Sequence, residues 1–124
     1  MPGKAFWFLL AALYGASGVL LAAAGRHVFD LQENASMSLF YHAVFFQIMH
    51  AILLMGLAHQ IDRSFWVRAA CMAFSMGVLL FCGGLYILLY WGKTGLSWIT
   101  PVGGSFLILG WINLVIYGAR LLKR

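Results

Sequence analysis

Charged side chains are scarce in this sequence, and acidic ones are almost absent: among 124 residues, 8 are Lys or Arg and 3 are Asp or Glu. Charged residues make up 9% of the chain, whereas a soluble globular domain carries about 25%. The few charges are also grouped, so that four long stretches contain none: residues 5–25, 35–61, 69–92 and 94–119. This pattern excludes a water-soluble globular domain.

Sequence motifs of the common enzyme classes are missing as well. The sequence contains no HExxH, no CxxC, no phosphate-binding glycine loop and no pair of carboxylates within an uncharged stretch. A bis-histidine haem would need ligands on facing helices, but His42 and His50 share one stretch. Cys71 and Cys82 lie about 16 Å apart along one helix, too far for a disulfide. We therefore expect no independent enzyme and no cofactor.

The four uncharged stretches predict four membrane-spanning helices. Each exceeds the roughly 20 residues that a helix needs to cross about 30 Å of hydrocarbon. Short loops between them make consecutive helices antiparallel neighbours. We predict one all-α domain over residues 1–124, an integral membrane four-helix antiparallel bundle with spans near 5–25, 38–60, 66–91 and 97–119.

The first span has a second interpretation, as a cleaved secretory signal. Lys4, an apolar core and the alanines at 22–24 fit such a signal. However, Ala11, Gly15, Gly18 and Ala22 form a strip of small residues on one helix face, which a discarded segment would not need. We expect the span to be retained.

Glycines are concentrated where helices would have to approach closely. Besides Gly15 and Gly18, two pairs fall in the same half of the membrane, Gly83-Gly84 in the third span and Gly103-Gly104 in the fourth. Glycine lets helix backbones touch. The sequence thus predicts close helix packing at these positions.

Basic residues are distributed unequally between the two ends of the spans. Two lie at the loops on one side, Arg26 and Lys93, and six lie on the side of the chain ends and the second loop: Lys4, Arg63, Arg68, Arg120, Lys123 and Arg124. By the positive-inside rule both termini are expected in the cytoplasm, with the protein in the inner or plasma membrane. These cations face lipid phosphates, so we expect the lipid bilayer as partner and no nucleic acid.

Two polar residues lie deep in the second span, Gln47 and His50, one turn apart on the same face. In hydrocarbon both need partners, so this face is expected to point into the bundle. One interpretation is a hydrogen bond between helices that fixes their packing. The other is a proton relay or ligand site, in which Gln47 orients the imidazole.

Other side chains extend this candidate ligand or packing cluster. Tyr86, His27 and Thr100 are expected around an outer pocket floored by the glycine pairs, and Asn113 is a further deep polar residue. A metal site built from His27, His42, Asp30 and Glu33 is possible in composition, but nothing in their spacing requires it, and we predict none. The pair Met72 and Met76 fits copper ligation, although methionine more often fills gaps in a core.

Four motifs follow one another along the chain: Gly25-Arg26-His27, Phe40 with residues 47–51, residues 80–86, and residues 99–104 followed by Gly110-Trp111. In this order they resemble the YgdD-type small membrane proteins of the domain of unknown function 423 family. His42 lies where a small polar residue is common in that family. The resemblance implies a four-helix membrane fold and brings no established activity.

Two classes of function are compatible with this sequence. We expect an accessory or scaffolding subunit, or an assembly factor, that contacts other membrane proteins or itself as a homo-oligomer. The alternative is binding or transport of a small or lipidic ligand in an intramembrane pocket centred on Gln47 and His50.

Overall fold

The protein is a bundle of four long helices. A computed structural model describes residues 2–28, 34–92 and 95–124, with the side chains of all of these except 26–28 and 34–36. The helices are α1 (Lys4–Val28), α2 (Asn34–Ala58), α3 (Phe65–Trp91) and α4 (Ile99–Leu122). All four are long and apolar enough to cross a membrane. The prediction of an all-α, four-helix membrane fold is confirmed.

Helix ends follow local signals in the sequence. The Ser64 hydroxyl caps α3 by accepting a hydrogen bond from the backbone N–H of Trp66, at 3.1 Å. Gly92 ends α3 with φ of 75°, a conformation that glycine adopts without strain. A turn over residues 95–98 then delays α4 until Ile99, two residues after the predicted start of the fourth span.

Helices α2 and α3 form the centre of the bundle. Helix α1 packs against α2, and α4 packs against α3. The outer helices also reach across: the Tyr14 hydroxyl of α1 bonds the Ser75 carbonyl of α3, and the Trp111 indole of α4 bonds His50 of α2. As a result, α2 and α3 are buried far more completely than α1 and α4.

The interface between α3 and α4 depends on glycine. A Cβ at Gly103 would collide with the backbone of Phe81, and one at Gly84 would collide with Thr100. Gly104 lies 3.6 Å from the Phe81 ring by the same measure, an ordinary contact. The predicted close packing at Gly83 is wrong. Nothing lies within 4 Å of its Cβ direction, because it faces away from α4.

The small residues of α1 face α2. The Cβ direction at Gly15 meets Ala51 at 3.8 Å, and at Gly18 it meets Ile48 at 2.7 Å. Ala11 of the same strip is fully buried, whereas Ala22 is exposed. The strip therefore serves packing within the chain over most of its length.

Charged residues cluster at one end of the bundle. Asp62, in the turn after α2, lies 3.8 Å from the Lys4 ammonium and 3.8 Å from the Arg68 guanidinium. The Arg120 guanidinium lies 5.4 Å from the centre of the Trp66 ring. These contacts bring the start of α1, the α2–α3 turn and the end of α4 to the same side.

Candidate functional site

Gln47 joins three helices through its amide. It is 4% exposed. Its Nε2 donates to the Tyr14 carbonyl and to the Ser17 hydroxyl of α1, each at 2.8 Å. Its Oε1 accepts from the Tyr86 hydroxyl of α3, also at 2.8 Å. Both amide hydrogens are thus used, and the oxygen has a partner.

Two further hydroxyls extend this group towards the bundle centre. The Tyr14 hydroxyl donates to the Ser75 carbonyl at 2.9 Å, and the Ser75 hydroxyl donates to the Cys71 carbonyl at 2.7 Å. The Ser17 hydroxyl donates to the Tyr14 carbonyl at 3.1 Å. Helices α1, α2 and α3 are therefore held together by a continuous set of hydrogen bonds, which hydrocarbon favours since no water competes.

A small recess opens beside this group, between α1 and α3. It has a volume of about 230 Å³ and is lined by Tyr14, Ser17, Gln47, Cys82, Gly83 and Tyr86, among others. The missing side chain of Gly83 leaves part of this space. Gln47 and three of its hydrogen-bonding neighbours, Tyr14, Ser17 and Tyr86, thus border this recess.

His50 forms a separate polar contact, between α2 and α4. Its ring is 2% exposed. Nδ1 lies 2.8 Å from the Phe46 carbonyl, and the Trp111 Nε1 lies 3.3 Å from Nε2. Because an indole N–H can only donate, Nε2 of His50 must accept. Nδ1 therefore carries the hydrogen and donates it in a hydrogen bond to the Phe46 carbonyl. We thus assign His50 as the neutral Nδ1-protonated tautomer, with both nitrogens satisfied.

Aromatic rings enclose the imidazole. The Phe46 ring stacks on it with centres 6.0 Å apart, and the rings of Phe74 and Trp111 lie 5.3 and 6.1 Å from its centre. Protonation of Nε2 would set two N–H donors against each other and place a charge in this apolar cage. The arrangement suits a structural histidine rather than a proton relay.

Of the two interpretations of Gln47 and His50, the one in which Gln47 orients the imidazole is wrong. They lie on one face of α2, but their hydrogen bonds go to different helices: Gln47 bonds α1 and α3, and His50 bonds α4 and its own helix. The imidazole is oriented by Phe46 and Trp111, not by Gln47. Sequence analysis missed Tyr14 as a member of the Gln47 group, and its only signal was a phenol one turn before Ser17 on the α1 face that meets α2.

The predicted outer pocket is also corrected. Tyr86 turns to Gln47, whereas Thr100 lines a different cavity of about 230 Å³, with Gly84, Ser97 and Pro101 among its neighbours. The two residues therefore do not share a rim. The side chain of His27 lies outside the described residues.

The remaining candidates do not join either polar contact. Asn113 donates from Nδ2 to the Leu109 carbonyl of its own helix, at 2.9 Å. His42 does the equivalent on α2, with Nδ1 2.8 Å from the Ser38 carbonyl. Among the described residues no three His, Cys, Asp or Glu side chains lie together, and Asp30 and Glu33 fall outside that part of the chain.

The soft ligands considered for copper are separated in the same way. Met72 and Met76 are 49% and 44% exposed and border an apolar groove beside α1. Cys71 and Cys82 are buried in the bundle instead. The two methionines thus lie at the surface, and the two cysteines lie in the core.

Comparison with known proteins gives a consistent group of relatives. Residues 21–104 match the sequence profile of a family described as a protein of unknown function, DUF423. The chain is 33% identical to the UPF0382 inner membrane protein YgdD of Escherichia coli K12 over 122 residues, which cover 96% of this chain and 92% of that one. It is 33% identical over 116 residues to a UPF0382 membrane protein of Haemophilus influenzae, covering 91% and 92% of the two chains. A UPF0382 membrane protein of Staphylococcus aureus is 34% identical over 115 residues, covering 89% and 92%. No solved structure matches the chain.

Proposed function

Since the chain belongs to the DUF423 family of membrane proteins of unknown function, we propose that it is a small accessory or scaffolding subunit that docks on a larger membrane complex. The outward face of α4 is the surface that would dock. We place the protein in the inner or plasma membrane, with both chain ends in the cytoplasm, and assign it no catalytic role of its own.

Trp111 is the observation that carries this proposal. Its indole N–H is held inside the bundle by His50, yet the residue is 45% exposed near the middle of α4. Tryptophan in membrane proteins concentrates at the two interfaces, not at mid-depth. It is also among the residues that dominate binding energy at protein interfaces. A rigid, half-exposed indole at this depth suits packing against another helix.

The residues around Trp111 form a continuous face for such packing. Ile108 and Val115 lie one helical turn before and one turn after it, and they are 63% and 70% exposed. The deep polar groups support the same idea indirectly. Gln47 and His50 are engaged within the fold, which leaves the lipid-facing surface to meet partners.

The experiment compares this face with an equally exposed one. The protein is purified in a gentle detergent, and native mass spectrometry identifies a partner at fixed stoichiometry. The amount of that partner bound to an Ile108→Ala/Val115→Ala variant is expected to fall at least fivefold. The matched control is Leu13→Ala/Leu20→Ala on α1, whose residues are 58% and 69% exposed. Membrane complexes that are unchanged in a deletion strain, with no partner at fixed ratio, would refute the proposal.

A lipidic or small-molecule ligand in the recess beside Gln47 is the second candidate. The recess favours it because hydroxyl and amide groups line a cavity between two helices. Gly83→Leu should fill this space without disturbing α4, since nothing lies within 4 Å of its Cβ direction. Loss of a co-purified small molecule from Gly83→Leu, with α4 variants unaffected, would favour this candidate over the first.

A further inference from the structure

A long groove runs along the outside of the bundle between α1 and α2. Its larger part has a volume of about 610 Å³ and is lined from Phe8 to Val19 on α1, from Ile48 to Gly56 on α2, and by His59 in the turn after α2. A second part of about 330 Å³ continues it to Lys4. Phe8, Ala12 and His59 line both parts, so the two form one groove.

Small side chains create the deep part of this groove. Ala11, Ala12, Gly15 and Ala51 lie along it, and Gly56 has no atom within 4 Å of its Cβ direction. From Ile48 to His59 the groove extends about 17 Å along α2, at roughly 1.5 Å per residue. This length is close to half of the roughly 30 Å hydrocarbon layer. It therefore matches one acyl chain of one leaflet.

The end of the groove at the charged side of the bundle is basic. Lys4 and His59 line its mouth. The His59 ring is held edge-on to the Phe8 ring, with centres 6.0 Å apart. Among the described residues, the Asp62 carboxylate lies 3.8 Å from the Lys4 ammonium and 3.8 Å from the Arg68 guanidinium, so two cations are paired with one anion at this end. The ammonium and the imidazole N–H at this end of the groove can donate hydrogen bonds to a lipid phosphate.

We propose that the α1–α2 groove binds one anionic phospholipid, with an acyl chain on the small-residue floor and the headgroup at Lys4 and His59. In hydrocarbon no hydrophobic force favours filling the groove, so the acyl chain of the lipid contributes only van der Waals contacts with the protein. Attraction between the headgroup and the basic mouth gives the preference for negative charge.

The test uses two lipids that differ only in the headgroup. Delipidated protein in detergent is incubated with equal amounts of phosphatidylglycerol and phosphatidylcholine that carry the same acyl chains, and native mass spectrometry measures the adducts. Wild type is expected to carry one phosphatidylglycerol at least fivefold above phosphatidylcholine. Gly56→Leu should lower both adducts at least fivefold. Lys4→Ala/His59→Ala should reduce phosphatidylglycerol to the level of phosphatidylcholine.

Two controls match these variants in type. Gly118→Leu fills an equally open glycine position on α4, and Lys123→Ala removes a cation beyond its end; both should bind like wild type. Thermal unfolding of each variant verifies that the fold is kept. Equal binding of the two lipids by wild type, or unchanged binding by Gly56→Leu, would overturn the proposal. So would a second copy of the chain or a partner protein as the adduct that Gly56→Leu removes.

Discussion

At the scale of single residues, the polar side chains inside this bundle act as ties between helices. Gln47 gives two hydrogen bonds to α1 and accepts one from α3, while His50 accepts one from α4. Each bond is modest, about 0.6 kcal/mol on average in a membrane and up to about 1.7 kcal/mol. Their combined value lies in specificity, because only one arrangement of the helices satisfies all of them.

Replacing Gln47 tests the larger of the two polar contacts. Gln47→Leu introduces an apolar side chain of similar size and removes all three hydrogen bonds, so the Tyr86 hydroxyl loses its acceptor on Gln47. We expect the free energy of unfolding in detergent to fall by about 1–3 kcal/mol. Asn113→Leu is the control, because its amide donates only to its own helix among the described bonds, and we expect a change below about 0.5 kcal/mol. Equal effects of the two substitutions would contradict the role given to Gln47.

The contact between His50 and Trp111 has its own test. Trp111→Phe keeps an aromatic ring but removes the N–H, leaving Nε2 of His50 without its donor. We expect a loss of about 0.6–1.7 kcal/mol in unfolding free energy. A double-mutant cycle with His50→Phe should show that the two effects are coupled. Trp91→Phe, at the exposed end of α3, serves as the control, and additive behaviour of Trp111→Phe and His50→Phe would refute the bond.

At the scale of helices, the interface between α3 and α4 is set by backbone contact. Gly103 and Gly84 let the two helices approach until main chain meets main chain or the Thr100 side chain. Such approach gives many small dispersion contacts, which are the main attraction between helices in lipid. Gly77 and Gly110 extend the same interface, since their Cβ directions meet Leu107 and Phe74 at 2.5 Å.

Adjacent glycines in α4 provide a matched pair of substitutions. Gly103→Ala would place a methyl group in the backbone of Phe81, which cannot move aside, so we expect a loss of about 1–3 kcal/mol from overpacking. Gly104→Ala meets the Phe81 ring at 3.6 Å and should be neutral or slightly stabilising, because alanine favours the helix. Unfolding by denaturant in detergent measures both. The prediction fails if Gly104→Ala is as damaging as Gly103→Ala.

The sequence predicts the helices of this protein better than their contacts. The four spans follow from the uncharged stretches because a charge in hydrocarbon is costly wherever the helix lies. Which glycine of a pair faces a neighbour depends on helix rotation, and consecutive residues differ by about 100°. Gly84 and Gly103 therefore lie in the α3–α4 interface, as expected, whereas Gly83 points away from α4. Tyr86 belongs to the polar cluster predicted around Gln47, and its hydroxyl donates to the Gln47 amide oxygen. The second partner, Tyr14, could not be predicted, since the sequence does not state the rotation of α1.

At the scale of the whole molecule, charge and burial divide the bundle in two directions. Along the helices, Lys4, Arg68 and Arg120 collect with Asp62 at the end that carries the start of α1, the α2–α3 turn and the end of α4. Across the bundle, α2 and α3 are buried while α1 and α4 face lipid. The family that the four motifs suggested is confirmed by its sequence profile and by relatives that match most of the chain. Each of the two proposed contacts with other molecules involves one of the lipid-facing helices, α4 in the first and α1 in the second.

Membrane orientation is the prediction that belongs to this scale. Single cysteines introduced at positions 63 and 124, in a background with Cys71 and Cys82 replaced by alanine, should be inaccessible to a membrane-impermeant thiol reagent in intact cells. A cysteine at position 95, in the turn before α4, should be labelled. The reason is the excess of six basic residues over two on the side of the chain ends, which retains that side in the cytoplasm. Changing Arg63, Arg68 and Arg120 to Gln while adding basic residues beside Gly95 should weaken or invert this pattern. If positions 63 and 124 are both labelled while all other basic residues are unchanged, the orientation is the reverse of the predicted one. If only one of them is labelled, the four-span topology is excluded.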